Sequence, residues 1–139
     1  MSTASALIPS LSVEMAYLVL AVGLLFVHMA LQGGLMLAQT GVPYNAGPRD
    51  AAIRPSGMAA RADRAYRNFR ETFPAFAALV LAVEVTGSAD GWTGIGAGLY
   101  FWGRVAYVPA YLSGIPWLRS ALFGVSATGI VILLWGLVL

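Results

Sequence analysis

The stretch Arg61–Phe76, which reads RADRAYRNFRETFPAF, stands directly in front of an apolar run of membrane length. Arginine forks pair with carboxylates, and a glutamate pairs with an ammonium group. The stretch therefore predicts a site for a small zwitterionic or anionic ligand. The alternative is a membrane anchor whose arginines are solvated by water and lipid headgroups. At ~100° per residue on a helix, four of its polar side chains fall within an arc of roughly 100°: Arg64, Arg67, Asn68 and Glu71.

The composition of the whole chain indicates a membrane protein. Its 139 residues are 59% hydrophobic and 10% charged, whereas a soluble domain carries about 25% charged residues. The net charge of +2 is too small and too clustered to indicate a nucleic-acid partner. The chain has no cysteine, so any thiol used in a reaction must be brought by the ligand.

The apolar runs predict an all-α membrane protein, an antiparallel bundle of four transmembrane helices in a single domain over residues 1–139. A helix needs ~20 residues to cross ~30 Å of hydrocarbon. The segment Gln39–Ala60 contains three prolines and three further turn-forming glycines, so it is a predicted loop. The predicted helices are Leu11–Leu37, a second from near Met58–Arg61 to about Thr86, a third from Trp92 to about Leu112, and a fourth that includes Leu122–Leu139.

Arg104 lies deep in the third predicted helix, ~18 Å from Trp92 at the helical rise and past the middle of the bilayer. A charge at that depth usually faces the bundle interior or a polar cavity. Arg104 shares an arc of roughly 60° with Tyr107 and Tyr111. Glu71 is the predicted partner of Arg104, and a purely structural Arg104–Glu71 pair is the alternative to a ligand site.

His28 lies well inside the first predicted helix. It is either a proton carrier or metal ligand, or a packed, hydrogen-bonded histidine that faces a neighbouring helix. A single histidine without a second ligand favours the packed interpretation, and no metal site is predicted. In the third helix Gly94, Gly96, Ala97 and Gly98 form a surface of small residues suited to close packing, which we expect to bring several chains together.

The distribution of arginines predicts the topology. Arg49 and Arg54 lie in the first loop and Arg119 follows the last connection, whereas the second loop carries only Asp90. The positive-inside rule then places the first loop in the cytoplasm and both termini outside. The predicted location is a bacterial inner membrane, with both termini in the periplasm.

With four predicted helices, an arginine-rich start of the second and an Arg-Tyr-Tyr stripe on the third, the chain resembles the MAPEG family, the membrane-associated proteins of eicosanoid and glutathione metabolism. The first-loop segment VPYNAGPRD is similar to a bacterial branch of the family, for which the resemblance supplies no substrate. The match covers almost the whole chain. Its residues are Arg64-Ala65, Asn68, Glu71, Pro74 and Phe76, then the stretch GRVAY at 103–107, Ala110-Tyr111-Leu112 and Arg119-Ser120.

The resemblance implies a homotrimer in the lipid bilayer that binds glutathione as a cosubstrate between subunits, toward the cytoplasmic face. For an enzyme in the bilayer we expect a lipophilic small molecule as the second substrate. The arginine matching Arg119 would activate the thiol, with Ser120 close by as the second catalytic residue. Glutathione would be held by Arg64, Arg67, Asn68 and Glu71, in a cavity lined by Arg104, Tyr107 and Tyr111.

Three departures from the family pattern argue against eicosanoid synthesis. The end of the first helix, QGGLMLAQTGV, has no basic residue, Thr72 replaces an aromatic residue, and Phe123 replaces a tyrosine. Two functions remain open: a glutathione transferase or peroxidase acting on a lipophilic electrophile, and a non-enzymatic membrane scaffold or accessory subunit. The missing base favours the scaffold. The joint presence of Asn68, Glu71, Tyr107, Tyr111 and Arg119 favours the enzyme.

Overall fold

A computed structural model describes residues 10–139, and these residues form α-helices joined by short connections, without a β-strand in that range. Four helices are long and one is short. Their bounds are α1 Val13–Thr40, α2 Val42–Ala46, α3 Gly57–Thr86, α4 Gly91–Ser113 and α5 Pro116–Val138. The four long helices are those that the apolar runs predicted. The short helix α2 is new, because it lies inside the segment 39–60 that was predicted as a loop.

The connection between α1 and α3 is an ordered segment. Gly41 has φ 82 at the end of α1, and Pro43 follows in the first turn of α2, where its missing N–H costs no hydrogen bond. Gln39 and Ser56 then join the two ends of the connection. The Gln39 side-chain amide donates to Ser56 Oγ over 2.6 Å, and the Ser56 N–H donates to Gln39 Oε1 over 3.1 Å.

Neighbouring long helices run antiparallel, as predicted. Ser12, which caps α1, donates to Glu84 near the end of α3. Arg61 near the start of α3 donates to the main-chain oxygen of Leu112 near the end of α4, over 3.0 Å. A Cβ on Gly136 near the end of α5 would meet the side chain of Thr93 near the start of α4. Glu14 at the start of α1 is buried and accepts from the Thr93 hydroxyl.

Small residues hold α4 against α5. A Cβ on Gly96 would lie 2.9 Å from the main-chain oxygen of Gly129, and a Cβ on Gly103 would clash with Ser126. Gly98 faces the ring of Tyr17 on α1. The glycine surface predicted to join separate chains is therefore occupied within this chain, against α1 and α5.

Phe76 of α3 and Tyr100 of α4 stack in the hydrophobic core with their ring centroids 4.0 Å apart, and both side chains are fully buried.

Two helices, α1 and α5, are long and apolar enough to cross a membrane by length and composition. The other two long helices do not meet that criterion. The first half of α3 carries the polar stripe, and the glycines, tyrosines and Arg104 of α4 lower its mean hydropathy. The sequence predicts four membrane-spanning helices, and two of them meet this criterion.

Candidate functional site

A cavity of about 480 Å³ opens between α3, α4 and α5 at the end where α3 begins. All but one of the nine predicted site residues line it, together with Phe123. The lining residues are Arg64, Arg67, Asn68 and Glu71 from α3, Tyr107 and Tyr111 from α4, and Arg119, Ser120 and Phe123 from α5. The structure therefore brings together residues that are up to 59 positions apart in the sequence, Arg64 and Phe123.

The small side chain of Ala65 lets the polar face of α3 approach α4 closely. Ala65 is buried against Tyr107 and Tyr111, whose ring centroids are 5.5 Å apart. Residues on the adjacent face of α3 then project into the cavity beside the two tyrosines. An arginine or glutamate at position 65 would instead have to be buried in this contact.

Tyr111 holds two arginines of the cavity. Arg64 Nε donates to the Tyr111 hydroxyl over 3.1 Å. The Arg119 guanidinium carbon lies 5.1 Å from the Tyr111 ring centroid, a cation–π distance. Because the hydroxyl oxygen accepts from Arg64, its own proton remains available for an acceptor in the cavity. Tyr111 thus fixes two cations and keeps one donor for a ligand.

Arg104 is the one predicted site residue that does not line the cavity. It is 0% exposed and lies behind Asn68 and Thr72. Its Nη1 donates to Asn68 Oδ1 over 2.7 Å, and its Nη2 donates to Thr72 Oγ1 over 2.8 Å. Its guanidinium also lies near three aromatic rings, at 5.0 to 5.8 Å from their centroids: Tyr100, Tyr107 and Phe123.

The predicted Arg104–Glu71 pair is therefore wrong. Within residues 10–139 the single ion pair joins Arg67 to Asp63, one helical turn apart. Glu71 is exposed at the cavity, while Thr72, ~100° further round α3, faces α4 and takes the guanidinium. The sequence pattern singles out Thr72 only as a replacement for an aromatic residue of the family, and it gives no sign that Thr72 contacts Arg104.

Arg104 determines how Asn68 presents its amide. The Asn68 oxygen accepts from Arg104, so the Asn68 NH₂ group is left to donate into the cavity. Thr72 is fixed as well, because its hydroxyl also lies 3.1 Å from the Tyr100 hydroxyl. The second layer behind the cavity thus makes Asn68 a donor for a carbonyl or carboxylate.

His28 lies outside the cavity lining, in the contact between α1 and α3. It is buried and stacks on Phe69, with ring centroids 4.8 Å apart. The packed interpretation is confirmed in that respect, but the expected hydrogen bond is absent at Nε2 among the residues described. No group of three or more potential metal-ligating side chains occurs in the same range.

The cavity carries an excess of positive charge. Three arginines line it, Arg64, Arg67 and Arg119, and Glu71 is the only acid among the lining residues. Arg67 also forms an ion pair with Asp63, which does not line the cavity. Such a site attracts a ligand with net negative charge and leaves one carboxylate for an ammonium group. The tyrosine hydroxyls and the Asn68 amide add neutral donors.

The model of the MAPEG family matches residues 15–139, which is nearly the whole chain. No curated protein and no solved structure matches the chain.

Proposed function

Because the chain belongs to the MAPEG family, we propose that it is a glutathione-dependent membrane transferase or peroxidase that acts on a lipophilic electrophile. One observation carries the proposal: arginines, an asparagine, a glutamate and two tyrosines from three helices line one cavity. A scaffold has no need for this combination. The cavity, of about 480 Å³, is large enough for a tripeptide-sized ligand.

Glutathione carries two carboxylates, one ammonium group and one thiol, and the cavity offers a partner for each. Arg64 and Arg67 pair with the carboxylates, and Glu71 pairs with the ammonium group. The Asn68 NH₂ group donates to a peptide carbonyl, in the orientation that Arg104 imposes. The tripeptide then lies along the polar face of α3, with its sulfur toward α5.

Arg119 stabilises the thiolate in this proposal. Its guanidinium lies over the Tyr111 ring and makes no hydrogen bond to another residue of the described chain, so its donors are available to sulfur. An adjacent cation lowers the thiol pKa from its usual ~8.5 toward neutrality. The thiolate is the nucleophile, so its larger fraction raises the reaction rate. Ser120, one residue further along the cavity wall, now donates to the Pro116 main-chain oxygen over 3.4 Å, and its hydroxyl turns from that oxygen to donate to the same sulfur.

Two reactions use that thiolate. In a transfer, the sulfur forms a bond to an electrophilic carbon, and the leaving group departs with the electron pair and takes a proton from Tyr107 or Tyr111. In a peroxidase reaction, the sulfur attacks the peroxide bond and releases an alcohol. The resulting sulfenic acid of glutathione then reacts with a second glutathione to give the disulfide and water.

The membrane arrangement is part of the proposal. The long helices have 23 to 30 residues, and at ~1.5 Å per residue each is long enough to cross ~30 Å of hydrocarbon. All four cross a bacterial inner membrane, with the first loop in the cytoplasm and both termini in the periplasm. Three copies associate, because Arg64, Arg67 and Glu71 are exposed in one chain and need enclosure away from lipid.

Calorimetric titration of the purified protein with glutathione tests the proposal. We expect saturable binding by the wild type and no binding by Glu71→Gln, which removes the partner of the ammonium group. Arg70→Gln is the matched control, because Arg70 lies over the Tyr66 ring on the same helix and does not line the cavity. A wild type that binds no glutathione would favour the scaffold, which the lack of a basic residue in the last turn of α1 also favours.

A further inference from the structure

A second, smaller recess adjoins the cavity where α4 ends and α5 begins. Its volume is about 180 Å³. It shares Arg64, Tyr111 and Arg119 with the main cavity, whereas its other lining residues do not line the main cavity. Those residues are Arg61, Gly114 and Pro116.

The recess contains three cations and no acid. Arg61, Arg64 and Arg119 all line it, and none of them forms an ion pair with a carboxylate in residues 10–139. Arg61 uses one N–H on Leu112 and Arg64 uses one on Tyr111, so most of the five donors on each guanidinium remain free. Three like charges around one recess repel one another unless an anion lies between them.

The position of Arg61 is defined by the backbone of the connection. Its guanidinium carbon lies 3.2 Å from where a Cβ on Gly114 would be, and Gly114 has φ 78, which favours glycine. A side chain at position 114 would displace the arginine. The sequence therefore keeps this cation against the end of α4.

The start of α5 adds to the positive potential. Pro116 is in the first turn, and the capping residue Ile115 supplies no side-chain hydrogen bond. The first N–H groups of a 23-residue helix are thus left without a cap, next to three guanidinium groups. An oxyanion is the ligand that such an arrangement accepts.

We propose that this recess binds a phosphate group, with Arg61 as the residue that distinguishes it from the main cavity. A guanidinium fork matches the oxygens of phosphate, and the recess holds a phosphate rather than a whole nucleotide. Two sources share this chemistry: the headgroup of an anionic phospholipid and free phosphate. Trp117 beside the recess is 84% exposed, as is typical of an aromatic side chain at the level of lipid headgroups.

The test uses the full chain in maltoside micelles and in phosphate-free buffer. The unfolding temperature is measured against inorganic phosphate and against chloride at equal ionic strength, because a ligand that binds only the folded state raises it. A second arm compares nanodiscs of phosphatidylcholine alone with discs that also contain phosphatidic acid, and native mass spectrometry counts the lipids retained. We expect stabilisation by phosphate above that by chloride, retention of phosphatidic acid, or both. If phosphate stabilises no more than chloride and phosphatidic acid is not retained, the proposal is overturned.

Variants locate the site. Arg61→Gln is expected to weaken phosphate binding by roughly tenfold or more, the loss of one charge-assisted contact, while glutathione binding stays unchanged. Arg70→Gln removes the same charge elsewhere on α3 and is expected to bind phosphate as the wild type does. If Arg61→Gln is unstable because Leu112 loses its donor, Arg61→Lys keeps the charge and is expected to retain binding better than Arg61→Met.

Two results contradict the proposal at this stage. One is a phosphate affinity of Arg61→Gln equal to that of Arg70→Gln. The other is an equal loss of glutathione and phosphate binding in Arg61→Gln, which would make the recess an extension of the main cavity. The phosphate measurements contain no glutathione, so they stand whether or not the proposed reaction does.

Discussion

Arg104 donates to the side-chain oxygen of Asn68 over 2.7 Å across the contact between α3 and α4. The arginine is fully buried, and the asparagine faces the cavity. One residue thus determines from behind which end of the amide another residue presents to a ligand. The interaction makes Arg104 a positioning residue, distinct from the residues that line the cavity.

Replacing Arg104 by methionine is expected to disturb the site without changing its lining. The substitution leaves the Asn68 oxygen without its donor, which costs about 1–3 kcal/mol of stability for a buried group, while Thr72 keeps its contact with the Tyr100 hydroxyl. The Asn68 amide also loses its fixed orientation, so glutathione binding weakens. Thermal unfolding and calorimetry measure the two effects. In a double-mutant cycle with Asn68→Ala the losses should be non-additive; additive losses would contradict the positioning role.

Substitutions of Arg119 and of Glu71 are expected to remove different properties of the site, thiol activation and glutathione binding. Wild type with glutathione at pH 7 should show the ultraviolet absorbance of a thiolate, because Arg119 lowers the thiol pKa. Arg119→Ala should lose the absorbance and still bind the peptide, whereas Glu71→Gln should lose binding. Absorbance that persists in Arg119→Ala would exclude Arg119 as the residue that activates the thiol.

The absence of cysteine makes the topology directly testable. Ala51 in the first loop and Ala89 in the second are both exposed alanines, so cysteines at the two positions form a matched pair. On intact cells, a membrane-impermeant maleimide should label Ala89→Cys and leave Ala51→Cys unlabelled. Both should be labelled after the cells are opened. The reverse pattern on intact cells would invert the topology.

The contact between α4 and α5 should not tolerate a single added methyl group at Gly96. A Cβ there meets the Gly129 oxygen at 2.9 Å, and overpacking of this kind costs about 1–3 kcal/mol. Gly124→Ala is the control, since a Cβ at that position of α5 meets nothing within 4 Å. We expect Gly96→Ala to lower the unfolding temperature and Gly124→Ala to leave it unchanged or raise it. Equal unfolding temperatures of Gly96→Ala and Gly124→Ala would contradict the close contact between α4 and α5 at Gly96.

Asp90 gives the fold an acid-sensitive helix start. Its side chain accepts from the Thr93 N–H over 2.8 Å, and this hydrogen bond holds the pKa of Asp90 below its usual value of 3.8. A lowered carboxyl pKa stabilises the folded state above pH 3.8, and that contribution is lost as the pH falls through the folded-state pKa. Asp90→Asn keeps a capping oxygen that does not titrate. The advantage in unfolding temperature of wild type over Asp90→Asn should therefore shrink as the pH falls below about 4; a constant difference would contradict this.

The sequence predicted which residues line the cavity better than it predicted which residues contact one another there. Projection on one helix was enough to group Arg64, Asn68 and Glu71, because a helix fixes the direction of its own side chains. It does not fix the rotation of α3 relative to α4. Thr72 and Glu71 differ by one position, and that rotation decided which of them met Arg104.

The glycines of α4 show the same limit. A surface of small residues predicts close packing but does not identify the partner helix. Gly96 faces α5 and Gly98 faces α1, so the partners lie within the chain. The helix α2 was missed for another reason, because five residues are too few to show a helical period.

The two partners of the buried Arg104 guanidinium are an amide and a hydroxyl, and neither group titrates in water near neutral pH. These two contacts are therefore the same on either side of neutral pH, and the Asn68 amide keeps its direction there. A carboxylate in the place of Thr72 would have coupled the shape of the site to pH. Near neutral pH, a pH–rate profile of this protein therefore reports the groups that contact the ligand, because the two hydrogen bonds of Arg104 contribute no inflection of their own.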